Sequence, residues 1–481
     1  MHSAQITRNV LLINSRWSGS QWPHYGLVLL ATKLKQLGHN PLVVDYNYTP
    51  DAPGVAKLID DFRPDIIGFS LYTIGMQESR TLIAQVRSRS QIPVILGGPH
   101  ASLYQDELVR EHLGDWLFIG DAEQCLPARL NEIKVESHTV IIKDPSPDIN
   151  EVPKADFNLA WGGYSRMVYR PIQLSRGCPY ACSFCSVKCI TSRKIRYRDA
   201  SVCLDEIQDD IQRSPALTFV RIVDDCPTFD LSRFKQFLRD YTARGISRPL
   251  HIDNLRGDGV DDEMLELLKI IGVDHLCIGV ESGNREVFNM VNKGETLEQI
   301  VQTAQKIKRH GIRLYTCFII GLPGASPAAE MDSIRLVRQL RPDWVYWNMF
   351  QPHKGTKARE WFEQHGRVYT EEGKTSIAGI DLSATEAPCE TPGYTMIDRS
   401  RMQLMAMLMT GCYLLNPFWI IRMSKTITHY HLWKAFWVGL PSVLRVNAGM
   451  FLQRLRRQIK TKQWGDLSLL GLPRLISQKR A

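Results

Sequence analysis

Three cysteines, Cys178, Cys182 and Cys185, stand in the run CPYACSFC at the spacing C-x3-C-x2-C. Thiolate is the usual protein ligand of iron–sulfur cubanes, so three thiolates in one short loop suit three of the four irons of a 4Fe–4S cluster. The fourth iron then has no protein ligand and is open to a small molecule. A structural zinc site would close its shell with a fourth Cys or His, and a zinc knuckle is the alternative reading of the same residues. Cys189 follows four residues after Cys185. It reads as a non-ligand, because a fourth thiolate would block the open iron. The other seven cysteines are scattered, and Cys277 and Cys317 lie in apolar runs that suggest small core residues. Eleven cysteines, an odd number without even spacing, do not make a secreted disulfide framework. A reducing cytoplasm suits an oxygen-sensitive cluster, and the N-terminus has no signal-peptide pattern.

The elements that must hold this loop are legible around it. Residues 1–144 alternate short apolar runs (Val10–Ile13, Pro41–Val44, Ile66–Ser70, Val94–Leu96, Trp116–Ile119) with helical stretches such as Gly26–Leu37 and Glu78–Ser88. That is an α/β, doubly wound parallel sheet. Its ligand side lies beyond the carboxyl ends of the strands. Ser70 to Thr73, Gly97-Gly98-Pro99-His100 and Gly120-Asp121-Ala122-Glu123 stand there. Residues 145–164, with three prolines and Gly162-Gly163, read as an interdomain linker. Residues 165–384 hold six strand-like runs: Arg170–Leu174, Thr218–Asp224, Leu250–Asn254, His275–Glu281, Arg313–Ile320 and Trp344–Phe350. With helices between them they predict a partial (β/α)6 barrel, whose chemistry gathers at the C-terminal strand ends. The cysteine loop directly follows the first of these strands.

The cysteine run, with aromatic Phe184 before the last cysteine, resembles the radical S-adenosylmethionine (SAM) superfamily. The doubly wound domain before it is similar to the cobalamin-binding domain of cobalamin-dependent radical SAM enzymes. The resemblance implies that the open iron chelates SAM and that one electron from an external reductant cleaves it to a deoxyadenosyl radical. It implies that Asp224 and Asp225 stand near the SAM amino group and that Glu281 and Ser282 meet the ribose. It also implies that the backbone at Gly321 flanks adenine. For cobalamin it points to Ser70, Thr73, Gly97, Gly98, His100, Gly120 and Glu123. Cobalamin domains that ligate cobalt from below carry D-x-H-x-x-G after the first strand. Here the stretch is Asn14-Ser15-Arg16-Trp17-Ser18-Gly19, with Arg16 at the histidine position. Neither His24 nor His100 is read as a replacement ligand.

Net charge is +9, but the segment from Arg399 to Ala481 carries +13, so the rest of the chain sums to −4. The basic character is that of a C-terminal appendage (residues 385–481, mainly helical) and not of a nucleic-acid-binding protein. Trp419, Trp433, Trp437 and Phe451 are interleaved with its cations. Such a pattern suits peripheral contact with an anionic membrane, or equally a soluble helical cover over the barrel. The family resemblance implies an enzyme, with methyl transfer to an unactivated carbon as the leading reaction. An anaerobic oxidative cyclase acting on a tetrapyrrole or lipid-like molecule is the alternative. A methylthiotransferase would carry an added N-terminal cysteine set, and the first 120 residues contain no cysteine. The resemblance implies a small-molecule or lipophilic substrate, which the sequence itself does not name.

Overall fold

The computed structural model describes residues 6–17, 20, 22–143, 148–191, 193–253, 255–369 and 388–411. Residues 1–377 and 386–413 form one compact unit. A second unit, 378–385 and 414–481, and with it the aromatic basic tail, lies outside the described residues.

The first sheet contains β1 (Asn9–Asn14), β2 (Asn40–Asp45), β3 (Ile66–Ser70), β4 (Val94–Gly97), β5 (Trp116–Ile119) and β6 (Val140–Lys143). All are parallel, in the order β2-β1-β3-β4-β5-β6. Strands such as IIGFS in β3 are buried at every position, as a parallel sheet covered on both faces requires. One face carries α1 (Tyr25–Gln36) and the other α2 (Val55–Phe62) and α3 (Met76–Arg89). Two short helices, α4 (Pro99–Leu103) and α5 (Gln105–Arg110), follow β4, and α6 (Ala122–Arg129) follows β5 onto the α1 face. The strand order reverses between β1 and β3, which opens a crevice at their carboxyl ends. The expected linker is not a free tether. Ile149, Val152, Ala155 and Phe157 are buried in the α1-side core, and Ala160 bridges to Val43.

The second domain begins with β7 (Tyr169–Ile172). A two-residue ribbon, β8 (Ser175–Arg176) with β9 (Arg196–Tyr197), brackets the cysteine loop, and that loop contains α7 (Val187–Ile190). Then come α8 (Ala200–Arg213), β10 (Phe219–Ile222), α9 (Leu231–Ala243), β11 (Leu250–Ile252), α10 (Asp262–Ile271) and β12 (His275–Glu281). After them follow α11 (Arg285–Val291), α12 (Leu297–Arg309), β13 (Arg313–Ile320), α13 (Pro327–Leu340) and β14 (Trp344–Met349). Three-stranded sheets β11-β10-β7 and β12-β13-β14 are all parallel and are joined by a bridge between Leu255 and Ile278. Together they make the six-stranded partial barrel. Leu276, Ile278, Leu314, Phe318 and Trp347 face the helices in its main core.

α14 (Lys357–His365) is followed by a short ribbon, β15 (Arg367–Val368) with β16 (Cys389–Glu390), and by α15 (Met396–Gly411). α15 packs on α13 and β14. The composition boundary at residue 385 thus falls ahead of a helix that belongs with the barrel.

Candidate active site: a cysteine loop facing a cavity in the first sheet

The cysteine loop is held from below by two acids that follow β10. Asp224 is buried, and its carboxylate accepts from Leu174 N at 2.8 Å and Ser175 Oγ at 2.5 Å. Asp225 accepts from Gly177 N at 3.0 Å. Burial pushes the Asp224 carboxyl up to about 7 despite these bonds, and Asp225 is raised for the same reason. Both acids therefore fix the turn that launches the loop. Phe184 explains its aromatic position, since it docks into an apolar cluster with Val287, Val291, Leu322 and Phe350. Ser183 N donates to Val291 O at 2.7 Å and Asn292 Nδ2 to Ala181 O at 3.3 Å, so the turn after α11 also grips the loop.

Cys178, Cys182 and Cys185 are half-buried. A hydrogen bond from Cys226 lowers the Cys178 thiol to about 7, while burial pushes Cys182 to about 11 and Cys185 to about 12. Half-buried thiols of this kind are costly as bare thiolates and are stabilised by bound metal. Among the described residues no three Cys, His, Asp or Glu side chains converge on one ion. Cys189 turns away, donating to Gly355 O at 3.3 Å.

Glu281 ends β12 at a bulge with φ +67°, a strained conformation for a non-glycine residue. Its buried carboxylate, raised by burial, meets Lys293 Nζ at 3.3 Å, and Lys293 also meets Glu295 at 3.0 Å. Ser282 Oγ accepts from Asn284 N at 3.2 Å. The expected ribose-contacting pair is thus largely occupied within the protein. Gly321, φ +83°, follows β13. Its N–H donates to buried Glu330 at 2.8 Å, and its carbonyl accepts from Arg399 Nη1 at 2.7 Å. Glu330, Arg399 and Cys226 contact these residues and were not singled out in the sequence. The one signal was position, Cys226 directly following the acid pair.

Beyond β1, β3, β4 and β5 lies a cavity of about 310 Å³. Leu12, Ile95, Phe118, Leu30 and Leu126 give it an apolar floor between the sheet and the α1 face. Ser70, Gly97, Gly98, Gly120 and Glu123 line it as expected. Gly98 is required: φ is +92°, and a Cβ there would stand 2.9 Å from Leu71 N and from Ser70 Oγ. Two expected contacts are not on the wall. His100 is fully buried beneath it, stacked on Tyr104 and bonded through Nδ1 to Thr73 Oγ1 at 3.0 Å. The other ring nitrogen of His100, Nε2, is buried without a hydrogen-bond partner among the described residues. His24 does line the cavity. Its Nδ1 accepts from Leu27 N at 3.1 Å, so the neutral ring carries its proton on Nε2. That Nε2 faces Tyr72 OH at 3.0 Å and Ser70 Oγ at 3.2 Å. Burial lowers the His24 pKa. Arg16 is exposed.

The opposite wall comes from the second domain, where Gln173, Arg176, Ile190 and Thr191 line the same cavity. α7, inside the cysteine loop, packs on α4 of the first domain. An apolar floor, bare glycine backbone and a Ser–His–Tyr rim fit a bulky amphipathic cofactor, and the three-thiol loop fits a cluster.

Comparison with known proteins agrees domain by domain. Residues 172–337 match the radical SAM superfamily and residues 13–130 the B12 binding domain. The anaerobic magnesium-protoporphyrin IX monomethyl ester cyclase of Rubrivivax gelatinosus is 25% identical over 69% of this chain and 64% of its own length. The chain thus spans less than two thirds of that relative. The hopanoid C-3 methylase of Methylococcus capsulatus is 25% identical over 69% of this chain and 67% of its own. The methyltransferase TsrM from Kitasatospora setae, solved with cobalamin and a 4Fe–4S cluster, superposes with a TM-score of 0.66 at 16% identity, covering 86% of this chain and 90% of that one. With both domains matched in this order, the chain belongs to the cobalamin-dependent radical SAM enzymes, whose cofactors are a 4Fe–4S cluster, SAM and cobalamin.

Proposed function

We propose that the enzyme transfers a methyl group to an unactivated carbon of a small, lipophilic molecule. The observation that carries this reading is the shared cavity, in which the cysteine-loop wall faces the glycine turns of the first sheet. When bound, the cofactors supply hydrogen abstraction and methyl donation. Cys178, Cys182 and Cys185 hold the cluster, and Asp224 and Asp225 keep their loop at the strand ends. Gly321, fixed by Glu330 and Arg399, presents backbone to SAM. Gly97, Gly98 and Gly120 leave room for cobalamin, with Ser70, His24 and Tyr72 at its rim. An external one-electron reductant supplies the electron.

In a closed (β/α)8 barrel the interior is filled by branched aliphatic side chains. Here rings run across the strands, His251 to His275 at 4.8 Å, His275 to Tyr315 at 4.2 Å and Tyr315 to Tyr346 at 6.4 Å between centroids. These rings stand toward the N-terminal ends of their strands, away from the cysteine loop, and pack the far end of the barrel. A second reading, oxidative cyclisation, is favoured by the cyclase among the relatives. The test is anaerobic reconstitution with iron, sulfide and cobalamin, followed by mass analysis of candidate substrates. Gain of one CH2 unit supports methyl transfer, whereas loss of hydrogens or gain of oxygen supports the cyclase reading.

A further inference from the structure

The ribbon β8–β9 closes the base of the cysteine loop, and its register sets Arg176 directly opposite Arg196. Like charges directly opposite on a ribbon repel. The counter-charge comes from the other domain. Asp121, at the N-terminus of α6, meets Arg176 Nη1 at 3.0 Å through Oδ1 and Arg196 Nη1 at 2.9 Å through Oδ2. Glu123 adds a bond to Arg176 Nη2 at 3.0 Å, and Gln173 Oε1 accepts from the same guanidinium. All four charged side chains are nearly buried, at 8–11% exposure. Two arginines and two carboxylates balance, so the group is stable as a whole, and removing one member strands the others. Arg176 stands two residues before Cys178, and Asp121, Glu123 and Arg176 all line the cavity.

We propose that Asp121 is a positioning residue that clasps both ends of the cysteine loop to the cavity wall, so that filling the cavity and shaping the loop are coupled. The clasp itself rests on no cofactor. Its coupling role rests on the cofactor assignment above. An occupant that orders Gly120–Glu123 holds Asp121 in place, and through it both arginines. By reciprocity, a cluster that orders the loop favours the occupant by the same factor.

The first test needs no cofactor: hydrogen exchange of backbone amides 177–195 in the apo protein. Asp121→Asn keeps the shape and removes the charge. It should speed exchange in that loop about tenfold while leaving the amides of β12 and β13 unchanged. Arg196→Gln should act in the same direction and keeps the test available if Asp121→Asn fails to fold. Arg129→Gln, which removes an exposed pair between the last residue of α6 and Glu132 beyond it, should do nothing. Unchanged loop exchange in both clasp variants overturns the clasp. The second test compares cobalamin affinity with and without a reconstituted cluster. The wild-type ratio should be about fivefold or more and should fall to about one in Asp121→Asn. A ratio that survives the substitution overturns the coupling. A wild type that takes up no cobalamin overturns the cofactor reading, and with it the coupling, while the exchange experiment still judges the clasp.

Discussion

Replacing Glu330 by Gln should make the protein's stability less dependent on pH. Glu330 lies in the first turn of α13, 3% exposed, and accepts from Gly321 N. Burial pushes its carboxyl from the ordinary 4.5 up to about 7, against a smaller opposing pull from Arg399. The sign follows from linkage. Between 4.5 and about 7 the folded protein holds a proton that the unfolded chain has released. Stability from this group is therefore full below 4.5 and is lost as pH rises through about 7. At 1.36 kcal/mol per pH unit the whole window amounts to about 3 kcal/mol, of which about 2 kcal/mol falls between pH 5.5 and 8. Glutamine keeps an acceptor for Gly321 and cannot ionise. Urea unfolding of both proteins at about pH 5.5 and 8 gives the answer by difference, which cancels the similar contribution of Asp224. The variant should gain about 2 kcal/mol on the wild type across that interval. A difference between the two proteins that is the same at both pH values would refute the reasoning.

Other outcomes follow from the same geometry. Gly98→Ala combines positive φ with a backbone clash. It should cost about 2 kcal/mol of stability and abolish cobalamin uptake followed by difference spectroscopy. Changing Cys178, Cys182 or Cys185 to Ala should remove the cluster absorption and deoxyadenosine formation. Cys189→Ala should leave both, because its thiol is turned to Gly355 O. Bound cob(II)alamin should show no nitrogen splitting from a lower ligand in electron paramagnetic resonance, because the His24 Nε2 proton is already directed at Tyr72 and Ser70. For the tail, replacing Arg454, Arg456, Arg457, Lys460 and Lys462 by Gln should abolish low-salt cosedimentation with anionic vesicles, at about 1 kcal/mol per cation. Wild-type protein that ignores vesicles at low salt would favour a soluble helical cover.

Strands β12 and β13 lie where the sequence puts them, at His275–Glu281 and Arg313–Ile320. Their inner and outer residues differ in kind, and period-two patterns are the strongest strand signal. The cysteine loop was equally legible, because ligand type and spacing are local properties. What escaped was non-local or irregular. Ile149, Val152 and Phe157 occur among prolines without a helical or strand period, so they read as linker although the first domain's core takes them in. Asp121 and Arg176 are 55 positions apart, and a charged pair carries no periodic mark. Arg399 counted toward a basic tail, yet it is 1% exposed, held between Phe362 and Tyr394 rings. His100 reads as a cofactor contact from its place after Gly98; its ring is buried beside Tyr104 with Nε2 unpartnered among the described residues, which no sequence pattern marks.

The central claim is that one chain holds a cluster and cobalamin across a shared cavity. Metal and corrin content of the anaerobically reconstituted protein tests it most directly. The account predicts about four irons and one cobalamin per chain, with iron lost and cobalamin kept when Cys182 is changed to Ala. Protein that takes up the cluster but no cobalamin would contradict it.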